Sequence, residues 1–316
     1  MAQLARRAQP LLARKRRGLG PSVPLRWQRA LWAYAFLAVP LAFFLSIRIW
    51  PAVQAFNLSV HEWNIVGEAQ PYVGAANFRE LAADPRFARA LLNTLQYTVV
   101  GVPLQLALGL ALAMLLEQVR WLRGLLRAVY FVPYVTPVVA AAWVWQWLYS
   151  PNFGAVNGVL DLLGLPPQPF LNSPEQALYA VVAMVVWQNL GFQVVIFLAG
   201  LQSIPRVYYE AAGMDGAGPW RLFRHITLPL LNPTIVFSVV IGTLQYLQLF
   251  AQVVNLNFLD QGGPLDSTLT VALYIYQVAF QRFRMGQAAA ATVVLFAVMM
   301  AVALLQLRFL SRRVEY

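Results

Sequence analysis

The segment YYEAAGMDGAGPWRLF, Tyr208–Phe223, is a polar and glycine-punctuated interruption of an otherwise apolar chain. It lies between two long apolar runs, at about Leu178–Gly200 and Thr234–Val254. An apolar run of about twenty residues is the length that a helix needs to cross a bilayer. The segment is therefore expected to lie at a membrane surface, and that location has to explain its polar residues and glycines.

The remaining composition extends this interpretation to the whole chain. Of the 316 residues, 60% are hydrophobic and 11% charged, whereas a soluble domain carries about 25% charged residues. We predict an all-α membrane protein with six transmembrane helices. The predicted spans are Ala30–Ile49, Ala90–Leu116, Ala128–Tyr149, Leu178–Gly200, Thr234–Val254 and Gln287–Phe309.

The basic residues predict the orientation of these spans. Most of the 23 Lys and Arg residues lie in residues 1–29, in the loops after the second and fourth spans, and at the C-terminus. Because cytoplasmic loops carry the Lys/Arg excess, both termini are predicted to be cytoplasmic. We divide the chain into a basic cytoplasmic tail, 1–29, and a six-helix transmembrane domain, 30–316. The net charge of +11 is assigned to contact with membrane lipid, and no nucleic-acid partner is expected.

The acidic and nucleophilic residues exclude several function classes. There is no cysteine and there are only two histidines, so neither a metal site nor a catalytic site is expected. None of the twelve acidic residues falls in the middle of a predicted span, which argues against an ion-coupled transporter. A phosphate-binding loop is also absent, because the single lysine is Lys15. If transport is active, its energy must come from another polypeptide.

The opening segment has the signals of two helices joined by a tight turn. Ser203 and Pro205 suit a helix start, because Ser can cap and Pro is tolerated in the first turn. Asp215-Gly216 is a strong turn signal, and Pro219 suits the start of a second helix. Trp220, Leu222 and Phe223 are expected to anchor that helix in the protein's own core. A plain surface loop remains the alternative.

A longer stretch, EAAGMDGAGPWRLFRHITLPLLNP, resembles the cytoplasmic EAA loop of permease subunits in bacterial binding-protein-dependent ABC importers. The matching positions are Glu210, Ala211, Ala212, Asp215, Gly216, Ala217, Phe223, Ile226, Leu228, Pro229 and Pro233. Further stretches, among them YVGAANFREL and GGPLDSTLTVALYIYQ, resemble the carbohydrate-uptake branch, specifically its maltose- and glycerol-phosphate-type first permease.

This resemblance implies a type I ABC importer permease fold in the bacterial cytoplasmic (inner) membrane. It implies a second homologous permease, two copies of an ABC ATPase and an extracytoplasmic sugar-binding protein as partners. ATP and Mg would be bound by the ATPase, so no cofactor is expected in this chain, which is a transporter subunit and not an enzyme. Residues 203–232 would form the coupling loop. Contact with the ATPase would come from Glu210, Ala211, Ala212, Met214, Asp215, Gly216 and Ala217.

Amide side chains in the fourth and fifth spans suggest where substrate binds. Gln245, Gln248, Gln252 and Asn255 have helical spacing and are predicted to share one stripe. In the fourth span the candidates are Gln188, Asn189, Phe192 and Gln193. Amides bind hydroxyl groups and rings stack on a sugar, so a neutral di- or oligosaccharide is expected. Maltose-type permeases also place sugar contacts in these two spans. The alternative is that these amides only join helices.

Two further expectations complete the interpretation. Tyr274, Tyr276, Phe280 and Phe283 precede the sixth span and predict an external amphipathic helix that anchors at the membrane interface. An uncoupled sugar or polyol facilitator or channel remains the alternative function, although such a protein has no need of an EAA segment.

Overall fold

The computed structural model describes residues 25–63, 70–119, 123–257 and 261–310. Residues 1–24 of the predicted basic tail lie outside the described residues. Almost all described secondary structure is helical, and the one β-pairing among these residues is an isolated bridge between His61 and Tyr72. The chain forms two units, Met1–Gln54 and Ala55–Tyr316, which are described separately below.

The described part of the first unit is helical throughout. It contains α1 (Leu25–Phe44), a π-helical turn (Leu45–Ile49) and the beginning of α2 (Trp50–Ser59). Pro40 lies inside α1.

The second unit contains the end of α2 and thirteen further α-helices among the described residues. The first half of this unit contains α3 (Ala76–Ala83), α4 (Pro85–Gln118), α5 (Arg123–Val135), α6 (Val138–Leu148) and α7 (Ala155–Leu162). The second half contains α8 (Ala177–Gln202), α9 (Arg206–Met214), α10 (Pro219–Leu222), α11 (Leu228–Leu230), α12 (Asn232–Leu247), α13 (Ala251–Leu256), α14 (Val271–Tyr276) and α15 (Met285–Leu310).

Within the described residues, four helical stretches are long and apolar enough to cross a membrane: Arg26–Ser59, Pro85–Gln118, Ala177–Gln202 and Met285–Leu310. They contain the predicted first, second, fourth and sixth spans. The predicted third span corresponds to one bent pair of helices, whereas the predicted fifth span overlaps only the second helix of another bent pair, Pro219–Leu230 with Asn232–Leu247, which bends by 66°. Counting each pair as one span gives six among the described residues.

The predicted third span is not one continuous helix. It is divided into α5 and α6, which meet at an angle of 96°. The break falls at Thr136 and Pro137, where Pro137 has an extended ψ of 133°. A proline disfavours helical geometry at the residue before it, which gives the local reason for the bend.

The predicted fifth span is also interrupted. Helix α12 ends at Leu247, and the chain leaves helical geometry before α13 begins at Ala251. Phe250, at φ −138° and ψ −64°, is the residue that re-enters the helix. The prediction of one helix over Thr234–Val254 was therefore wrong, and three residues of irregular backbone lie within it.

The core of the second unit forms where α4 packs against α8 and α12. Glycine permits two of the closest approaches. A side chain at Gly191 of α8 would overlap the backbone of Tyr130 and Phe131 in α5. A side chain at Gly101 of α4 would overlap the ring of Tyr246. Small residues let helices approach closely where no hydrophobic force joins them in lipid.

The helix predicted to anchor at the membrane interface is instead mostly internal. Leu273 and Tyr274 of α14 are fully buried, and the Tyr274 hydroxyl donates a hydrogen bond of 2.6 Å to Asp84. Tyr276, Phe280 and Phe283 are exposed. The prediction was wrong for Tyr274, because the spacing of aromatic residues along a helix does not show whether they face protein or lipid.

Candidate functional site

A helical hairpin on the predicted cytoplasmic side is the first candidate region. It comprises α9, a turn, and α10 with its continuation to Leu230, and we call residues 206–230 the coupling hairpin. Gly216 has φ +76°, a left-handed conformation that glycine adopts without strain. Pro219 occupies the first turn of α10. The predicted helix–turn–helix is confirmed as geometry.

Three details of that prediction were wrong. Ser203 does not cap α9, because its hydroxyl donates to the carbonyl of Gly200 in the preceding helix. Pro205 lies just before α9 and not in its first turn. Trp220 does not enter the core, since 68% of it is exposed, whereas Leu222 and Phe223 are half-buried.

The candidate coupling residues form the exposed tip of this hairpin. Glu210, Ala211, Met214, Asp215 and Gly216 are exposed. Ala212 and Ala217 are half-buried, and the amide of Ala217 donates to the carbonyl of Ala212, which closes the turn.

The two arms of the hairpin are joined to each other and bear on the helix ends behind them. The hydroxyls of Tyr209 and Thr227 lie 3.1 Å apart in a hydrogen bond. A cavity of about 570 Å³ lies behind the hairpin. Its lining includes Met114 of α4 and Leu201 of α8 as well as Glu210. A force on the hairpin tip would therefore reach the ends of two long helices.

The second candidate region is a cavity of about 630 Å³ that we call the inner cavity. It lies where α8, α12 and α13 meet the bend between α5 and α6. The lining is Tyr134, Val138, Val185, Gln188, Asn189, Ile241, Leu244, Gln245, Tyr246, Gln248, Leu249, Phe250, Ala251 and Gln252. Five of these residues carry amides, and none of the described lining residues is charged.

Hydrogen bonds hold one side of the inner cavity and leave the other side open. The Gln252 amide donates to the Gln188 side chain, and Gln188 donates to the carbonyl of Thr136, each at 3.4 Å. Asn189 donates to the carbonyl of Val185 in its own helix. Gln245 and Gln248 are exposed to the cavity. Their amides are available to a ligand with hydroxyl groups.

Of the eight predicted substrate-binding residues, the structure brings five together here: Gln188, Asn189, Gln245, Gln248 and Gln252. The other three lie elsewhere. Asn255 donates to the carbonyl of Ala251 within α13. Gln193 is buried against Gly109 of α4. Phe192 stacks on Tyr134 at 5.1 Å between ring centroids and supports the wall from behind.

The predicted single helical stripe was therefore wrong, because the helix ends between Gln245 and Gln252. Sequence reasoning also missed Tyr134, Tyr246 and Phe250, which supply the rings of the cavity. Pro137 was the available signal for Tyr134, since it marks the bend beside that residue.

The predicted extracytoplasmic side contains a cluster of polar contacts that we call the outer clamp: Asp84, Arg86, Asn93, Asp266 and Tyr274. Arg86 donates to both carboxylate oxygens of Asp266, at 2.8 and 2.7 Å. Asn93 donates to the Asp266 carbonyl. These contacts join the start of α4 to the link before α14. Asp266 adopts a left-handed φ of +57°, and the clamp holds it there.

One carboxylate of the outer clamp has a shifted pKa. Burial by itself would raise the pKa of Asp84. Hydrogen bonds from the Tyr274 hydroxyl and from the Arg86 and Phe87 amides outweigh burial, so the pKa lies below its ordinary value of 3.8.

Comparison with known proteins places the chain among permeases. Residues 105–316 match the family described as "binding-protein-dependent transport system inner membrane component". The sulfoquinovosyl glycerol transport permease of Agrobacterium fabrum is 34% identical over 280 residues, which cover 88% of this chain and 90% of the relative. The trehalose/maltose transport permease of Thermococcus litoralis is 31% identical over 262 residues, covering 83% and 86%.

A solved structure has the same fold. A chain of a bacterial ABC transporter involved in the import of the acidic polysaccharide alginate superposes with a TM-score of 0.77 at 26% identity. The match covers 90% of this chain and 96% of that one.

Proposed function

This chain belongs to the family of binding-protein-dependent transport system inner membrane components, and we propose below which substrate it transports and how transport is driven. It is a multi-pass inner-membrane permease of a sugar ABC importer and not an enzyme. We propose that its substrate is a neutral di- or oligosaccharide that binds in the inner cavity, and that transport is driven through the coupling hairpin.

The observation that supports a neutral substrate is the lining of the inner cavity. Five amides lie together there, and none of the described lining residues is charged. Amides donate to and accept from hydroxyl groups, whereas a sulfonate, phosphate or carboxylate would call for Arg or Lys. The volume, about 630 Å³, falls within the usual range of ligand sites, roughly 300–1,000 Å³.

A second observation concerns the route of the energy. The tip of the coupling hairpin is exposed, whereas its base borders the ends of α4 and α8. We propose that two copies of an ATPase, which bind ATP and Mg, contact Glu210, Ala211, Ala212, Met214, Asp215, Gly216 and Ala217. A second permease would complete the membrane pore, and an extracytoplasmic binding protein would deliver the sugar. An uncoupled facilitator is disfavoured, since this family is binding-protein-dependent.

The test of the substrate class is uptake by proteoliposomes that contain the whole importer and its binding protein. Radiolabelled maltose, trehalose and lactose are compared with glycerol 3-phosphate. We expect uptake of at least one neutral disaccharide and none of the phosphate ester. Preferential uptake of glycerol 3-phosphate would overturn the proposal.

The test of the site uses two substitutions in α13. Gln252→Leu removes a cavity amide at nearly constant volume and is expected to lower uptake roughly three- to tenfold, the loss of one or two hydrogen bonds. Asn255→Leu is the matched control, because Asn255 bonds within its own helix, and it is expected to leave uptake within about twofold. Equal losses in both variants would place the substrate elsewhere.

A further inference from the structure

A second cavity, of about 610 Å³, lies at the predicted extracytoplasmic end of α6, and we call it the outer cavity. Its lining combines the end of α6, the loop after it, the turn at Leu171–Asn172, and two short segments, Leu256–Asn257 and Gly263–Pro264. The residues are Trp143, Gln146, Trp147, Tyr149, Ser150, Pro151, Phe153, Leu171, Asn172, Leu256, Asn257, Gly263 and Pro264. It shares no lining residue with the inner cavity.

The side chains of the outer cavity have the chemistry that recognises a sugar ring. Trp143 and Trp147 are 63% and 54% exposed, although each offers a large apolar face. They lie one helical turn apart on α6, and Gln146 lies beside them. Asn172 adds a second exposed amide. None of the described lining residues is charged, so a neutral and hydroxyl-rich ligand fits best.

Helices α6 and α13 run between the outer cavity and the inner cavity. Each of these short helices borders the inner cavity near its N-terminus and the outer cavity near its C-terminus. The Gln146 amide donates to the carbonyl of Leu256, at 3.3 Å, and joins the two helices. Both helices begin directly after a break in their span, at Pro137 and at Phe250. A ligand in the outer cavity would thus lie about one helical turn along α6 and α13 from the inner cavity.

Two exposed tryptophans near a helix end also occur where a helix meets lipid headgroups. A lipid belt does not account for a concave site with amides from three separate segments, Gln146, Asn172 and Asn257. Ligand sites combine apolar walls with a few convergent polar groups in this way.

We propose that the outer cavity is a second sugar-binding site, where Trp143 and Trp147 stack on a sugar ring and Gln146 and Asn172 bind its hydroxyls. The site receives the sugar before it reaches the inner cavity. This inference rests on the proposed function, in that it assumes a neutral sugar as the transported substrate.

The experiment is equilibrium binding to the whole importer in lipid nanodiscs, without the binding protein. Radiolabelled maltose, trehalose and lactose are each used as the probe. Trp143→Leu/Trp147→Leu removes both rings and is expected to weaken binding at one class of sites roughly three- to tenfold, as the loss of aromatic contacts predicts. Gln188→Leu/Gln252→Leu is expected to weaken the other class and leave the first unchanged.

Two controls separate a lost contact from a damaged protein. Trp143→Phe/Trp147→Phe keeps two aromatic faces and should retain binding close to wild type. Trp50→Leu removes an exposed tryptophan that does not line the outer cavity, and it should change nothing.

The outcomes distinguish this inference from the proposed function. Wild-type binding in Trp143→Leu/Trp147→Leu, or no binding of any probe to the wild-type importer at millimolar concentration, overturns the outer site. If uptake of neutral disaccharides nevertheless holds in proteoliposomes, the proposed function stands without it. Preferential uptake of glycerol 3-phosphate overturns the proposed function itself.

Discussion

The outer clamp and the coupling hairpin are both polar regions of an apolar chain, but they use their charges differently. In the outer clamp, Arg86 is paired with Asp266 and Asp84 accepts from Tyr274. In the coupling hairpin, no ion pair forms among the described residues, although Glu210, Asp215 and three arginines are exposed there. The clamp is complete within this polypeptide. The hairpin leaves its charges exposed, as we expect of the surface that we propose contacts the ATPase.

The difference is tested most strongly at the turn of the coupling hairpin. Glu210→Lys/Gly216→Pro reverses one exposed charge and forbids the φ of +76° that the turn requires. We expect uptake to be lost if the hairpin tip is the contact with the ATPase, as we propose. Uptake in proteoliposomes is the measurement, and the sugar affinity of the binding protein should be unchanged.

A matched pair of glycines separates backbone strain from partner contact. Gly216 and Gly164 have similar left-handed φ values, +76° and +70°, and a side chain at either position would meet open space. Alanine therefore causes similar strain, roughly 1 kcal/mol, at both. Gly216→Ala should lower uptake and Gly164→Ala should not. Normal uptake by both Gly216 variants would contradict the role of the hairpin.

The next largest effect is expected in the outer clamp and concerns stability. Arg86→Ala leaves Asp266 without its partner, and it removes a hydrogen bond to Gln277. About a third of each ion-pair side chain is exposed, so solvent screening reduces the cost to roughly 1–2 kcal/mol. The measurement is the midpoint of thermal unfolding in detergent. An unchanged midpoint would mean that the clamp does not hold the link before α14.

A smaller and pH-dependent effect is expected for Tyr274→Phe, which removes the hydrogen bond to Asp84. The cost should be about 1 kcal/mol at pH 7. The folded-state pKa of Asp84 is lowered, so this stabilisation is present above the ordinary pKa of 3.8 and is lost as pH falls through the lowered value. The difference between the thermal midpoints of variant and wild type should therefore be constant well above pH 3.8 and shrink as the pH falls below 3.8. A difference that does not shrink at any pH below 3.8 at which the protein stays folded would exclude this linkage.

The smallest effect is expected for Arg284→Ala. Arg284 pairs with Glu80, but nearly half of each side chain is exposed. An exposed ion pair contributes on average about 0.5 kcal/mol to the free energy of unfolding. The thermal midpoint should hardly move, and a shift as large as that of Arg86→Ala would erase the distinction drawn between the two ion pairs.

The sequence predicted the coupling hairpin better than it predicted the inner cavity, and the reason is physical. A turn is set by local chemistry: Gly216 supplies a positive φ and Pro219 starts a helix, whatever the neighbours are. Trp220 shows the limit of that argument, because its exposure depends on what the rest of the fold leaves uncovered.

By itself the sequence determined the helical class, four of the apolar spans and the place of the turn at Gly216, and it predicts the orientation from the arginines. These follow from apolar run length, charge and backbone preference, all of which act over a few residues. Only the tertiary structure decided that the chain leaves helical geometry at Gln248–Phe250, and that five amides meet in the inner cavity while Gln193 and Asn255 turn away. Those positions depend on how α5, α8 and α12 pack across the bilayer, where a helix can end only if neighbouring protein satisfies its backbone.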